Sequence, residues 1–242
     1  MIYVFDSNVG KVREENQDCC DAFMLGDTVF AVVADGMGGA KGGSTASKIT
    51  VECVRKTIME DYEDNMSNAK LVSLLTSCCN YANAQVYEYS LKNKELDGMG
   101  TTIVLAAIRK DKALVANVGD SRAYFVENGE AKQITKDQSY VQYLVDKGEI
   151  SETEAKNHPR RNVIMQALGT EQTIKPDIYE FSYSGQSVLL CSDGLSNKVL
   201  GTDIANVIED EALLPQQKVE KLIHMANDAG GEDNISAVLI MK

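Results

Sequence analysis

The chain has 242 residues, with 36 acidic and 24 basic side chains, a net charge of −12 and 44% hydrophobic residues. That length suits one large domain or two small ones, with a core that needs no disulfide or metal staple. The charged and apolar fractions exclude wholesale disorder, and the acidic balance argues against a nucleic-acid backbone or an anionic membrane as the main partner. An anionic substrate stays open, because a bound cation can reverse the local field.

No run approaches the roughly 20 apolar residues of a membrane span. The opening Met1-Ile2-Tyr3-Val4-Phe5-Asp6 lacks the basic and apolar regions of a signal peptide. Six cysteines, the pairs Cys19-Cys20 and Cys78-Cys79 with Cys53 and Cys191, read as reduced thiols of a cytoplasmic chain. With His158 and His224 as the only histidines, a cysteine or histidine zinc site is not expected.

Taken in chain order, residues 29–34 read as a buried strand, rich in Val and Ala. Ala46, Ile49, Cys53, Val54 and Ile58 then recur at helical spacing, with Ser44 as the expected N-cap. Leu71, Leu74, Leu75, Cys78, Ala82, Val86 and Tyr89 mark a second, longer helix. Residues 101–108, 113–118 and 122–126 follow one another through short turns, as an antiparallel meander would. Residues 139–173 are polar and short-helical, too long for an ordinary loop, and read as an inserted flap. A strand at 188–191, a helix from Pro215 to Gly230-Gly231 carrying Val219, Leu222, Ile223 and Ala226, and a strand at 235–240 close the chain. Helices set between groups of antiparallel strands give an α+β layered class. With no repeat, linker or low-complexity tract, residues 1–242 read as a single domain.

The informative feature is where the aspartates fall. Apolar strands run into Asp35-Gly36, into Gly119-Asp120 and into Asp193-Gly194, and Gly231-Glu232-Asp233-Asn234 feeds the last strand. Any one Asp-Gly is ordinary turn chemistry, as Asp97-Gly98 is. Four acids at strand rims are harder to dismiss, since crowded carboxylates lose hydration and repel unless a cation joins them. Oxygen ligands suit Mg²⁺ or Mn²⁺, and the neighbouring glycines would let a carbonyl such as that of Gly36 approach. Arg13, in the acidic stretch Arg13-Glu14-Glu15-Asn16-Gln17-Asp18, reads either as a surface ion pair or as a fork for phosphate.

Other motifs fail. Lys41 lies between Ala40 and Gly42, which breaks a phosphate-loop pattern. Gly119-Asp120-Ser121-Arg122-Ala123 continues as a strand and is no nucleophile elbow. Asn197 stands where a cysteine-phosphatase loop starting at Cys191 needs its Arg.

Together these residues resemble the metal-dependent serine/threonine phosphatases of the protein phosphatase 2C family, bacterial type, over nearly the whole chain. The resemblance rests on Val9-Gly10 to Asn16-Gln17-Asp18, Ala34-Asp35-Gly36-Met37-Gly38-Gly39, Gly100-Thr101-Thr102, Val118-Gly119-Asp120-Ser121-Arg122, His158-Pro159 through Arg161-Asn162-Val163 to Ala167-Leu168-Gly169, Ser192-Asp193-Gly194-Leu195 and Asp233-Asn234, in that order. It implies an antiparallel β-sandwich flanked by helices on both faces, with a binuclear metal centre at one end. It also implies that Asp35 bridges two Mn²⁺ or Mg²⁺ ions, the Gly36 carbonyl binds one, and Asp193 and Asp233 complete the other's shell. Asp18 would hold metal-bound water, Asp120 with Asp193 a third ion, and Arg13 the substrate phosphate.

The implied reaction is hydrolysis of phosphoserine and phosphothreonine in proteins by an activated water, with no covalent phosphoenzyme. The implied setting is a cytoplasmic monomer that opposes a bacterial Ser/Thr kinase. Met37 stands where many eukaryotic members carry a His proposed as general acid, and Gln17 where others carry Glu. An inert phosphoprotein-binding homologue and a phosphatase of small esters are the rival readings.

Overall fold

The structure, a computed structural model, describes residues 1–242 except for the side chains of Ala40 and Lys41, the latter from the glycine-rich run read above. In chain order the elements are β1 (Ile2–Asn8), β2 (Asp18–Leu25), β3 (Thr28–Met37), α1 (Gly39–Asp61), α2 (Asn68–Lys92), β4 (Gly100–Thr101) and β5 (Ile103–Arg109). They continue with β6 (Lys112–Val118), β7 (Arg122–Glu127), β8 (Glu130–Gln133), α3 (Tyr140–Asp146), α4 (Glu152–Lys156), β9 (Asp177–Ser182) and β10 (Ser187–Cys191). The last four are α5 (Asp193–Ser196), α6 (Gly201–Ile208), α7 (Pro215–Asp228) and β11 (Ile235–Met241).

Two antiparallel sheets result. One runs β1-β11-β10-β7-β8, the other β2-β3-β5-β6-β9 with β4 paired to β3. Alternation along the strands builds three apolar layers. On β3, Phe30, Val32 and Ala34 pack with Val54, Ile58, Leu71 and Leu75 of α1 and α2. Val29, Ala31 and Val33 of the same strand pack with Leu190, Val238 and Ile240 of the opposite sheet. On β11, Ile235, Ala237 and Leu239 pack with α6 and α7 through Ile204, Val219 and Leu222. The order is therefore helices, sheet, sheet, helices. The strands legible as apolar runs are the ones buried on both faces.

One local expectation is corrected. Ser44 is no N-cap: α1 already starts at Gly39, and its cap is Gly38 at φ 112°, a left-handed conformation in which glycine is at home. The Ser44 hydroxyl instead donates to Glu15 at 2.7 Å. Residues 139–173 hold α3, α4 and two isolated bridges, Ser139 with Ile164 and Thr101 with Leu168. The second ties the exit of this segment to β4, beside Asp35.

Candidate active site

The acids expected to act together come from both sheets. Strand pairing sets Asp18 of β2 opposite Asp35 of β3. The Asp35 backbone is pinned: its carbonyl accepts the Thr102 amide and the Thr101 hydroxyl, each at 2.8 Å, and its own amide donates to Thr102 Oγ1 at 3.0 Å. Just beyond, Gly36 meets the start of α1. A Cβ on Gly36 would lie 2.1 Å from the Gly43 carbonyl oxygen, so the strand end and helix can approach only as glycines. The other sheet supplies Asp193, first residue of α5, and Asp233, just before β11. Gly194 sits against Asn234, where a Cβ would come within 2.0 Å of the carbonyl oxygen.

Asn234 staples the amino-terminal segment to this end. Its side chain donates to the carbonyls of Val9 and Glu15 and accepts the Gln17 amide at 2.8 Å. The Gln17 side chain turns to the Gly39 carbonyl at 2.8 Å. Arg13, exposed on the same segment, forms an ion pair with Asp233 at 2.9 Å. Two clefts of about 920 and 680 Å³ share Arg13, Asp120, Asp193 and Asp233. Asp35, Met37 and Val163 line the first, and Val141, Lys156 and Lys198 the second; Asn162 reaches both. Asp18 sits deeper, at 6% exposure.

The carboxyls disturb one another. Burial, and then the charges of Asp193 and Asp233, push Asp18 up to about 7 against the opposing hydrogen bonds of Ser192 and Ser236. Burial and the neighbours Asp18, Asp193 and Asp120 hold Asp35 well above the usual carboxylate range. Asp120 is pushed up to about 7 by burial and then by Asp193 and Asp137. Asp193 is raised by burial and Asp233, while a hydrogen bond with the Asp35 carboxyl works the other way. Buried carboxyls crowded in this way are the arrangement a divalent ion relieves. The half-buried Arg122 guanidinium is already spent, since it binds Asp137 through three contacts of 2.7–3.2 Å.

The donor set fits hard divalent cations: carboxylates, a carbonyl at Gly36 and an Asp18 Oδ1 that is buried without any hydrogen-bond partner. It is not a ready-made cage. Among the described residues, no group of three or more Asp, Glu, His or Cys side chains already stands arranged to hold an ion. All six cysteines are free, and burial pushes Cys191 up to about 12, far from the thiolate a nucleophile needs.

The structure thus brings Arg13, Asp18, Asp35, Gly36, Asp120, Asp193 and Asp233 to one end of the sandwich. Sequence reasoning missed the hydroxyls that hold them. Thr102 and Ser121 bond each other at 2.7 Å beneath Asp35 and Asp120, and Ser192 donates to Asp18 at 2.7 Å. Ser236, a polar residue inside a fully apolar strand, was the available signal.

Comparison with known proteins matches residues 11–239 to the family described as Protein phosphatase 2C. The Serine/threonine phosphatase stp of Listeria welshimeri is 35% identical over 238 residues, 98% of this chain and 94% of its own length. Protein phosphatase PhpP of Streptococcus pneumoniae is 32% identical over 237 residues, 97% and 94% of the two chains. Among solved structures, the serine/threonine phosphatase Stp1 from Staphylococcus aureus superposes with a TM-score of 0.92 at 32% identity, covering 99% and 94%. The catalytic domain of PstP in complex with two manganese ions gives 0.83 at 29% identity, covering 98% and 96%.

Proposed function

We propose, from the premise that this chain belongs to the protein phosphatase 2C family, that it is a metal-dependent phosphatase removing phosphate from phosphoserine and phosphothreonine in proteins. The observation that carries the reading is the gathering of Asp18, Asp35, Asp193 and Asp233 from two sheets beside Arg13, at the mouth of a cleft. Crowded carboxylates with the exposed Arg13 guanidinium beside them make sense where cations and a phosphate complete the charge balance.

Each residue then has a task. Asp35, the Gly36 carbonyl, Asp193 and Asp233 would hold two Mn²⁺ or Mg²⁺ ions, with Asp120 and Asp193 for a third, supplying Lewis acidity and a water acidic enough to ionise near neutral pH. Arg13 exchanges Asp233 for the substrate phosphate, and its planar fork takes up charge on the equatorial oxygens. Asp18 orients the attacking water through its uncommitted Oδ1. Asn197 donates to Asp193 Oδ2 at 3.1 Å and keeps that carboxylate aimed. Met37 offers no proton, so the leaving serine or threonine oxygen takes one from water. The flap, 139–173, walls the cleft where the rest of a phosphoprotein lies.

We take residues 1–242 as one catalytic unit because both chain ends supply residues to the same cleft. The physiological setting we infer is a cytoplasmic monomer opposing a Ser/Thr kinase. The six free thiols and the acidic surface support it, and among the described residues no helix is long and apolar enough to cross a membrane.

The test is phosphate release from a phosphothreonine peptide, with and without Mn²⁺, by the parent and by Asp193→Ala. Release that needs Mn²⁺ and vanishes in the variant is expected. A folded, Mn²⁺-loaded parent that releases no phosphate from peptides or small esters would overturn the reading.

A further inference from the structure

Ser192 is fully buried where β10 gives way to α5, and its hydroxyl joins the two sheets. Its Oγ accepts the Ser236 amide at 2.9 Å. An amide can only donate, and this one is fixed in β11, so the Ser192 proton is directed away from it. It points to Asp18 Oδ2, 2.7 Å away in the opposite sheet. The nearby Ser236 hydroxyl also works to hold the Asp18 carboxyl down. Behind it the Ser236 hydroxyl meets Ser7 Oγ at 2.7 Å, which accepts the Asn16 amide at 2.7 Å. Asn16 Nδ2 is a pure donor too, which leaves the Ser7 proton available to Ser236. Asp18 Oδ1 alone has no donor.

We propose that Ser192, backed by Ser236, is a positioning residue: it commits Oδ2 of Asp18 to a fixed donor and thereby leaves Oδ1 as the one oxygen free to act among Asp35, Asp193 and Asp233. The proposal rests on the reading of the acids given above and adds the device that selects between the two oxygens of Asp18. A hydroxyl that donates to Asp18 suits the ionised carboxylate, and a rotation of Ser192 that released it would leave the Ser236 amide without its acceptor. A serine that merely stitched the sheets together would serve equally well with any acceptor at position 18.

A double-mutant cycle separates the two roles. Parent, Ser192→Ala, Asp18→Asn and the double variant are compared for kcat and KM on a phosphothreonine peptide at saturating Mn²⁺. Mn²⁺ binding without substrate is followed by calorimetry, and folding by thermal melting. Ser192→Ala is expected to lower kcat about tenfold or more, with little change in KM, as loss of a hydrogen bond to a charged group does. It is also expected to weaken Mn²⁺ binding. Neither effect should add to that of Asp18→Asn. If Ser192→Ala fails to fold, Ser236→Ala, which keeps the amide that aims Ser192, is expected to give a smaller loss that is likewise absent in the Asp18→Asn background. Parent values of kcat and Mn²⁺ affinity in Ser192→Ala, or losses that add in full to those of Asp18→Asn, overturn the proposal. A parent without phosphatase activity would overturn the functional reading instead, and the calorimetric cycle would still decide the role of Ser192.

Discussion

Arg13 and Asp233, 220 residues apart in the chain, meet in an ion pair of 2.9 Å at the mouth of the cleft. Their side chains are 52% and 39% exposed, so the pair contributes little to stability. It is a contact that can be exchanged, and a phosphate dianion is a better partner for a guanidinium than a carboxylate already claimed by a cation. Arg13→Ala should therefore lower kcat/KM roughly 10- to 100-fold, chiefly through KM, and leave the melting temperature unchanged. Arg13→Lys should recover part of the loss, since it restores charge without the fork. Steady-state kinetics with a phosphopeptide and a melting curve check both statements.

Asp193 is raised by burial and by the charge of Asp233, and it lies in the same crowd as Asp35. Asp193→Asn keeps the shape and removes one charge from the crowd. Metal-dependent hydrolysis should be lost, while the metal-free protein gains on the order of 1 kcal/mol, or roughly 2–4 °C in a chain of this size. Melting in excess chelator, set beside the activity assay, tests this opposition; a chelated variant less stable than the parent would refute it.

The same crowding gives the metal-free protein a definite pH dependence. Asp18 and Asp120 titrate at about 7 in the folded state, and Asp35 and Asp193 are also raised, against about 4 for an unfolded aspartate. Between those values the folded state binds more protons than the unfolded one, so stability falls as pH rises from about 4 toward 7. Chelated protein should melt higher at pH 5.5 than at pH 8. Saturating Mn²⁺ should abolish or reverse that slope, because the cation replaces the protons. Melting curves across pH, with and without the ion, are the measurement.

Gly36→Ala tests how tightly β3 and α1 must meet. Both nearest atoms to the new methyl are backbone, the Gly43 carbonyl oxygen at 2.1 Å and its carbon at 2.4 Å, so no side chain can rotate away. A loss of about 3 kcal/mol is expected, visible as a lower urea midpoint. Activity should fall in the fraction that stays folded, because the Gly36 carbonyl is one of the proposed cation ligands.

What could be read from the sequence follows burial. Strands β3, β5, β6, β10 and β11 are buried on both faces, which makes them continuous apolar runs. Strand β1 alternates exposed and half-buried residues at a sheet edge, β2 opens with Asp18-Cys19-Cys20-Asp21, and β8 is short and mostly exposed. The apolar runs of β1 and β2, Ile2-Tyr3-Val4-Phe5 and Ala22-Phe23-Met24-Leu25, are partly exposed and β8 has none, so pairing with a neighbour completes what the local pattern leaves open. Helix α1 began earlier than its apolar stripe because contact with β3 demands glycines where a cap was expected. The aspartates were legible because each follows a readable strand or turn. The hydroxyls of Ser192, Ser121 and Thr102 were not, since their partners lie in other strands and no spacing reveals them.

Strand β11 lies between β1 and β10, and Ile2 pairs with Met241. During synthesis, β1 therefore has no ladder partner until β11 emerges. Arg13, Asp18 and Asp35 wait for Asp233, on the order of 200 residues later, or roughly 10–40 s of translation. Throughout that interval the nascent chain carries an incomplete set of acids and no Asn234 to hold the Gln17 segment. A fragment that lacks residues 233–241 should therefore release no phosphate in the phosphothreonine-peptide assay.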